Sequence, residues 1–458
     1  MRAILTEALK HKSADYVEIR VEESHITRIG YKGDQLETLG QSVVFGGNVR
    51  ALCSGGWGFV SFNSLDDLHA KVDTAIAQAR LIGEMRSEQS RLAAVPVVQD
   101  AVKLPLGADP STVSLERKKQ VLDEYNTIVL GYGRGVTSSV VRYFDKFSNL
   151  YFANSEGSYI EQQKADMGGV VVAIATRGSD TQQCMTGFGG SCGFGAALGQ
   201  QQKVLEACEK AARLLDAPTV EAGEYTVVLD PVLAGVFAHE AFGHMSEADS
   251  VYENESLKQV MVLGKRLGSD ILNIYDVGVL GCGRGNVVYD DEGVKTQKNY
   301  LIKDGILVGR LHSRETAGKL GEAPTGNARA MDYRFPPIVR MRNTCIEPGE
   351  ACFEDMLRGI DKGVYAIKTY GGQTNGEMFT FSAGEAYMIR NGEIAELVRD
   401  VNLTGNVFRT LLDMDMISGD FGTLETSGGC GKYSQGPLPT SQWAPHVRIR
   451  NVVVGGRH

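Results

Sequence analysis

The chain lacks the features that define several large protein classes. It contains no C-x-x-C pair; its eight cysteines, at 53, 184, 192, 208, 282, 345, 352 and 430, are scattered over 458 residues. That pattern is no disulfide framework of a small secreted domain and reads as reduced thiols in a cytoplasmic protein. No apolar run reaches the ~18 residues of a membrane span, and the longest candidate, Val170–Ala175, is strand-sized. The opening Met1-Arg2-Ala3-Ile4-Leu5, followed by Glu7, Lys10 and Lys12, shows neither the apolar core nor the cleavage site of an export signal. No Lys/Arg cluster offsets the net charge of −9, so a nucleic-acid partner is not expected. The glycine-rich stretch Gly187–Gly195 lacks the Lys-Ser/Thr of a phosphate loop and the G-x-G-x-x-G spacing, and reads as a plain flexible connection.

Glycine, by contrast, is abundant, with 55 residues, which favours turns and β-structure over a helical bundle. Hydrophobic residues make up 43% and charged residues 22%, the balance of a soluble globular protein. At 458 residues the chain exceeds one ordinary core, and two or three domains are expected.

Hydrophobic periodicity places a helix over 1–12, then strands at Tyr16–Val21, which alternates strictly, at Ile26–Tyr31 and at Leu36–Phe45. Ser64-x-x-Asp67 starts a helix running to Ile82, and Ser114 caps another over 115–130. Between them, residues 94–112, with three prolines, read as a linker or strap. Long β segments follow at 136–144, 149–153 and 158–176, then a helix over 198–216. A boundary at 217–222 divides an N-terminal α/β domain (1–217) from a C-terminal β-rich domain (218–458). The second domain opens with strand Glu224–Leu229, and Asp230-Pro231 supplies a cap and a first-turn proline for the next helix. Beyond 260 come mostly strands and turns, among them Val287–Tyr289 and a hairpin at Asn391-Gly392. The fold class is α+β: an N-terminal mixed sheet with helices on one side, and a C-terminal β-rich domain carrying a broken metal-binding helix.

That helix carries the most informative stretch of the chain, His239-Glu240-Ala-Phe-Gly-His244. Neutral imidazole is the commonest zinc-ligating nitrogen, and a neighbouring glutamate is the usual base for metal-activated water. In H-E-x-x-H the histidines stand at i and i+4, roughly 40° apart around the helix; here they stand at i and i+5, roughly 140° apart. Two such rings share a metal only if a π-bulge absorbs the extra residue or the helix stops, which Gly243 would permit. A catalytic zinc takes three protein ligands, and the candidates for the third are Glu247, Asp249, His312, His446 and the cysteines. Spacing favours Glu247. Cys430, flanked by glycines in Ser427-Gly-Gly-Cys-Gly431, offers the softer thiolate. The residues alone do not choose between these two.

Several motifs in order make the chain resemble the TldD/PmbA family, once called modulators of DNA gyrase. They are His239–His244 with Glu247 and Asp249, Tyr289–Gly293, Ala323–Asn327, Met341–Thr344, Gly428–Lys432 and the closing Val447–Gly456. The resemblance covers nearly the whole chain and is most specific in the second half. It implies a zinc metalloprotease of unfolded or short peptides, with His239, His244 and Cys430 as ligands and Glu240 as general base. Glu247 and Asp249 then orient the ligands. It implies the TldD-like subunit, because the PmbA-like (TldE) subunit lacks the metal motif. Partners would be unfolded peptides and a second subunit, in a homodimer or in a heterodimer with a PmbA/TldE-like chain, closing the site in a chamber. The gyrase label implies no DNA binding and fits processing of a gyrase-directed peptide toxin. Other readings are a non-catalytic or peptide-binding subunit of such a complex, and a different zinc hydrolase such as an amidase.

Overall fold

Strand β1 (Tyr16–Lys32) sets the architecture of the N-terminal half. It pairs antiparallel with β2 (Gln35–Cys53) on one side and β5 (Val136–Asn154) on the other. Around it β3 (Gly56–Phe62), β4 (Gln99–Val102), β6 (Tyr159–Arg177) and β7 (Asp180–Gly190) complete a seven-stranded sheet. All its pairings are antiparallel except β4 with β6. The computed structural model describes residues 1–10, 13–104, 107, 109–426 and 428–455. The end of the first expected helix (11–12), parts of the expected strap (105, 106, 108), Ser427 in the cysteine motif and Gly456 of the closing strand lie outside the described residues.

The alternation in β1 does more than mark a half-buried strand. Val17, Ile19 and Val21 are buried under helices α1 (Arg2–Ala8) and α2 (Leu68–Met85), while Ile29 and Tyr31 continue the same face under α3 (Leu115–Gly131) and α4 (Gln201–Leu214). Helices therefore cover one side, as expected. Ser114 caps α3 by accepting from the Arg117 amide at 3.2 Å, as its sequence signal implied. The alternate residues Glu18, Arg20 and Glu22 are buried too, because the C-terminal half covers that polar face. Arg50 bridges Glu18 (3.1 Å) and Glu292 (2.6 Å), and Arg20 meets Asp291 at 2.9 Å. Buried charges persist only when paired, so these cross-half ion pairs fix how the two halves sit.

Four details differ from the sequence expectations. Gly187–Gly190 is no flexible connection but the end of β7: a Cβ at Gly187 would lie 2.6 Å from Thr426 Cγ2, and one at Gly190 2.6 Å from the Cys282 carbonyl. The glycines are there because another segment presses against the strand. That packing also overturns the expectation of uniformly reduced thiols, since Cys192 and Cys282, 90 residues apart, form a disulfide. Val287–Tyr289 is not a strand and makes a single bridge, Tyr289 to Lys295. The linker region contributes β4, which pairs parallel with β6.

In the C-terminal half, β8 (Gly223–Leu229) lies between strands 362–375 and 447–455. Strands 402–406 and 378–390 follow, and 378–390 pairs back onto 362–375, closing the ring. The hairpin at Asn391-Gly392 forms as expected, joining 378–390 to 393–398. A second, five-stranded sheet contains Asn343–Ile346 between 274–277 and 441–443. Helix α5 (Pro231–Phe237) leaves β8 directly and packs Phe237 edge-on against Phe379 and Phe381 at 5.2 and 6.0 Å. Among the described residues no helix is long and apolar enough to cross a membrane.

Candidate metal centre

Helix α5 begins where the sequence placed it. Asp230 accepts from the Leu233 amide (2.8 Å) and, from the neighbouring strand, from the Lys368 amide (2.9 Å). The cap thus anchors the helix to the ring. The helix then widens: residues Ala238–Gly243 form a π-turn and His244–Ser246 tighten into a 3₁₀ turn. This is the extra-residue bulge, one of the two routes by which the i, i+5 spacing lets the rings share a metal. It turns His244 back beside His239, with ring centroids 5.2 Å apart and planes at 79°. Gly243 plays a different part from the one expected. Its backbone is ordinary helix (φ −56°, ψ −46°), so it does not stop the helix. It is glycine because a Cβ would come within 2.0 Å of Met341 Sδ.

Cys430 reaches the same point from far along the chain. It sits in the short hairpin 430–432/435–438, with its sulfur 3.0 Å from His244 Nε2. One ligand-type atom each from His239, His244 and Cys430 lie within 4.8 Å of one another. His239 and Cys430 are buried and His244 partly so. The other candidates are elsewhere or turned differently. His312 pairs with Glu322 (3.0 Å) and His446 with Asp420 (2.6 Å), both outside the cluster. Glu247 meets His244 on the opposite ring nitrogen, Nδ1, at 3.2 Å. Asp249 is held by Lys432 at 2.6 Å.

Each imidazole is oriented from behind. The Thr344 hydroxyl donates to Asp276 Oδ2 (3.4 Å), which leaves its oxygen to accept from His239 Nδ1–H (3.3 Å). Glu247 accepts from His244 Nδ1–H and is itself held by Lys432 (3.0 Å) and Arg340 (3.7 Å). With Nδ1 of each ring so engaged, Nε2 is the nitrogen each ring offers to the cluster, the atom a metal would take. His239 Nε2 is buried without a hydrogen-bond partner among the described residues. A buried imidazole nitrogen left unsatisfied in this way asks for a ligand. Two imidazole nitrogens and a thiolate match the donor preference of zinc, so the residues fit that ion.

Electrostatics hold the metal-free cluster as a thiolate and a carboxylate around a protonated His244, whose Nε2 proton a metal would displace. Burial alone would raise the Cys430 thiol, but the imidazoles of His239 and His244 outweigh it and bring the thiol down to about 4. Burial would depress His244, yet Cys430 and Glu247 hold it up at about 10 while the sulfur is its partner. Burial likewise opposes the charge on Glu247, but His244, Lys432 and Arg340 keep its carboxyl below the usual range.

Glu240 lies on the π-turn with its side chain 30% exposed, Oε2 being 3.8 Å from His244 Nε2. Its carbonyl accepts from the Thr374 hydroxyl at 3.0 Å, tying the turn to the ring of strands. It is an acidic group beside the cluster that solvent and a ligand can reach. Sequence reasoning gave no role to Thr344, Arg340, Lys432 or Asp276. Thr344 and Lys432 fall inside motifs that carry the family resemblance, but nothing local says what either touches.

Comparison with known proteins agrees with these observations. Three family models match in order: PmbA/TldA metallopeptidase domain 1 over 17–80, the central domain over 108–215 and the C-terminal domain over 222–456. The chain is 48% identical to a metalloprotease of Synechocystis sp. over 97% of this chain and 95% of that protein. It is 30% identical to the zinc metalloprotease TldD homolog of Saccharolobus solfataricus over 97% of each. Its fold superposes on TldE from Thermococcus kodakarensis with a TM-score of 0.79, 18% identity and full coverage of both chains.

Proposed function

The chain belongs to the PmbA/TldD metallopeptidase family, and from that premise we propose that it is a zinc-dependent peptidase acting on unfolded or short peptides. His239, His244 and Cys430 hold the ion and Glu240 is the general base. The observation that carries this reading is the convergence of three ligand atoms within 4.8 Å around an unsatisfied buried His239 Nε2, with an accessible carboxylate beside them. Zinc bound there supplies a Lewis acid that polarises the scissile carbonyl and makes water acidic near neutral pH.

The chain's own residues do the rest. Glu240 takes the proton of the attacking water and returns it to the leaving amine. Thr344 and Glu247 fix the two rings, so the site is organised before substrate arrives. Lys432 and Arg340 keep Glu247 ionised, and Lys432 also pins Asp249. An extended polypeptide can present its backbone to Glu240 and His244, which are 30% and 26% exposed. The working species is a dimer, either of this chain or with a TldE-like subunit, that screens the site from folded proteins. An interface above ~1,000 Å² is expected.

The test is cleavage of a polypeptide in its unfolded form and as a stably folded domain of the same sequence, with the zinc-loaded protein and after chelation. The unfolded form is expected to be cut and the folded form spared, with chelation ending the activity and added zinc restoring it. Sedimentation of the active species should give a dimer mass. Equal cleavage of both forms, cleavage that survives chelation, or an active monomer would overturn the corresponding part.

A further inference from the structure

Cys430 stands on a segment that needs an external hold. Glycines occupy 428, 429 and 431, so the backbone around the sulfur has little side-chain packing of its own. On one side it is fixed: Cys430 pairs with Leu438, and a Cβ at Gly429 would lie 2.6 Å from the Leu438 carbonyl. On the other side Thr426 packs against Gly187 of β7 and its hydroxyl accepts from the Gly428 amide at 3.2 Å, and the backbone carbonyls of this segment are held by Arg284. Its guanidinium donates from Nη1 to the Thr426 carbonyl at 2.7 Å and to the Gly428 carbonyl. The rest of the fork pairs with Asp166 of β6, Nε to Oδ1 at 2.7 Å and Nη2 to Oδ2 at 3.1 Å.

Arg284 is itself held tightly. Its side chain is 4% exposed, and its guanidinium carbon lies 5.1 Å from the Phe144 ring centroid. Its amide donates to Ser441 Oγ at 2.7 Å, and Ser441 pairs with Asn343, next to Thr344 behind His239. Two residues earlier, Cys282 is bonded to Cys192. A planar fork that satisfies one carboxylate and two carbonyls cannot be replaced by a point charge.

We propose that Arg284 is a positioning residue for the metal centre, using Asp166 of the N-terminal sheet to clamp the backbone before Cys430 so that its sulfur faces His239 and His244. This rests on the ligand set given under Proposed function. The N-terminal half thereby contributes to the geometry of a centre whose ligands all come from the C-terminal half.

The experiment titrates apo protein with cobalt(II) and reads the near-ultraviolet thiolate-to-cobalt charge-transfer band, cobalt affinity and Tm. Wild type is expected to show the band, and Cys430→Ser to lack it. Arg284→Met is expected to lose most of the band and to bind cobalt about 10–100-fold more weakly. Arg284→Lys should recover little, because an ammonium cannot span three acceptors. Since Arg284→Met strands Asp166, the double variant Arg284→Met/Asp166→Asn removes both charges and is expected to show the same loss of band at a Tm closer to wild type. A role in folding alone would lower Tm and leave the band per folded molecule intact; that result, or wild-type affinity in the double variant, overturns the proposal. A wild-type protein that binds cobalt without the band removes Cys430 from the ligand set, and the clamp falls with it.

Discussion

Glu240→Gln should lower peptide hydrolysis by about 10²–10⁴-fold, the usual worth of a positioned general base, while zinc content stays at the wild-type level. The amide is isosteric with the carboxylate but cannot take a proton. The side chain is not one of the three converging ligand groups, and its exposure leaves the fold indifferent to the change. Hydrolysis of an unstructured peptide and elemental analysis of the same preparation check both halves of the expectation. Retained activity would remove Glu240 from the chemistry. Lost zinc would make it a ligand.

Cys430→Ser should act differently, removing zinc and activity together. A serine hydroxyl is a far poorer zinc ligand than a thiolate, so affinity should fall by more than about a hundredfold, beyond the 10–100-fold typical of a residue that only orients a ligand. Glu247→Gln provides the contrast. It leaves Lys432 and Arg340 facing a neutral group in a buried site, so it should cost stability, on the order of 3–5 kcal/mol for a broken buried pair, while much of the zinc is kept. Alkylation of Cys430 in the apo protein, with protection by zinc, gives an independent reading. Full zinc in Cys430→Ser together with loss in Glu247→Gln would place the carboxylate in the coordination sphere.

How far this was legible in the sequence depends on whether the information was local. Asp230-Pro231 announced α5, and the i, i+5 spacing announced a bulge or a stop, because both follow from helix geometry over a few residues. Which residue meets His239 and His244 was not local. Glu247 is three residues from His244 and touches its far nitrogen; Cys430 is 186 residues away, with its sulfur 3.0 Å from the near one. Spacing sees the first and is blind to the second. The role of Gly243 was misread for the same reason, since the atom that demands a glycine belongs to Met341. The burial of the polar face of β1 was not legible either, because nothing in residues 16–21 shows that Asp291 and Glu292 will cover it. The Cys192–Cys282 bond depends on the end of β7 packing against the 282 loop, which no cysteine count reveals.

The central claim is that two imidazoles and one thiolate of this chain hold zinc. X-ray absorption at the zinc edge on the purified protein tests it most directly. The expected result is one zinc per chain with nitrogen ligands at about 2.0–2.1 Å and a single sulfur at about 2.3 Å, the sulfur shell disappearing in Cys430→Ser. A first shell of nitrogen and oxygen without sulfur, or a protein that takes up no zinc at all, would contradict it.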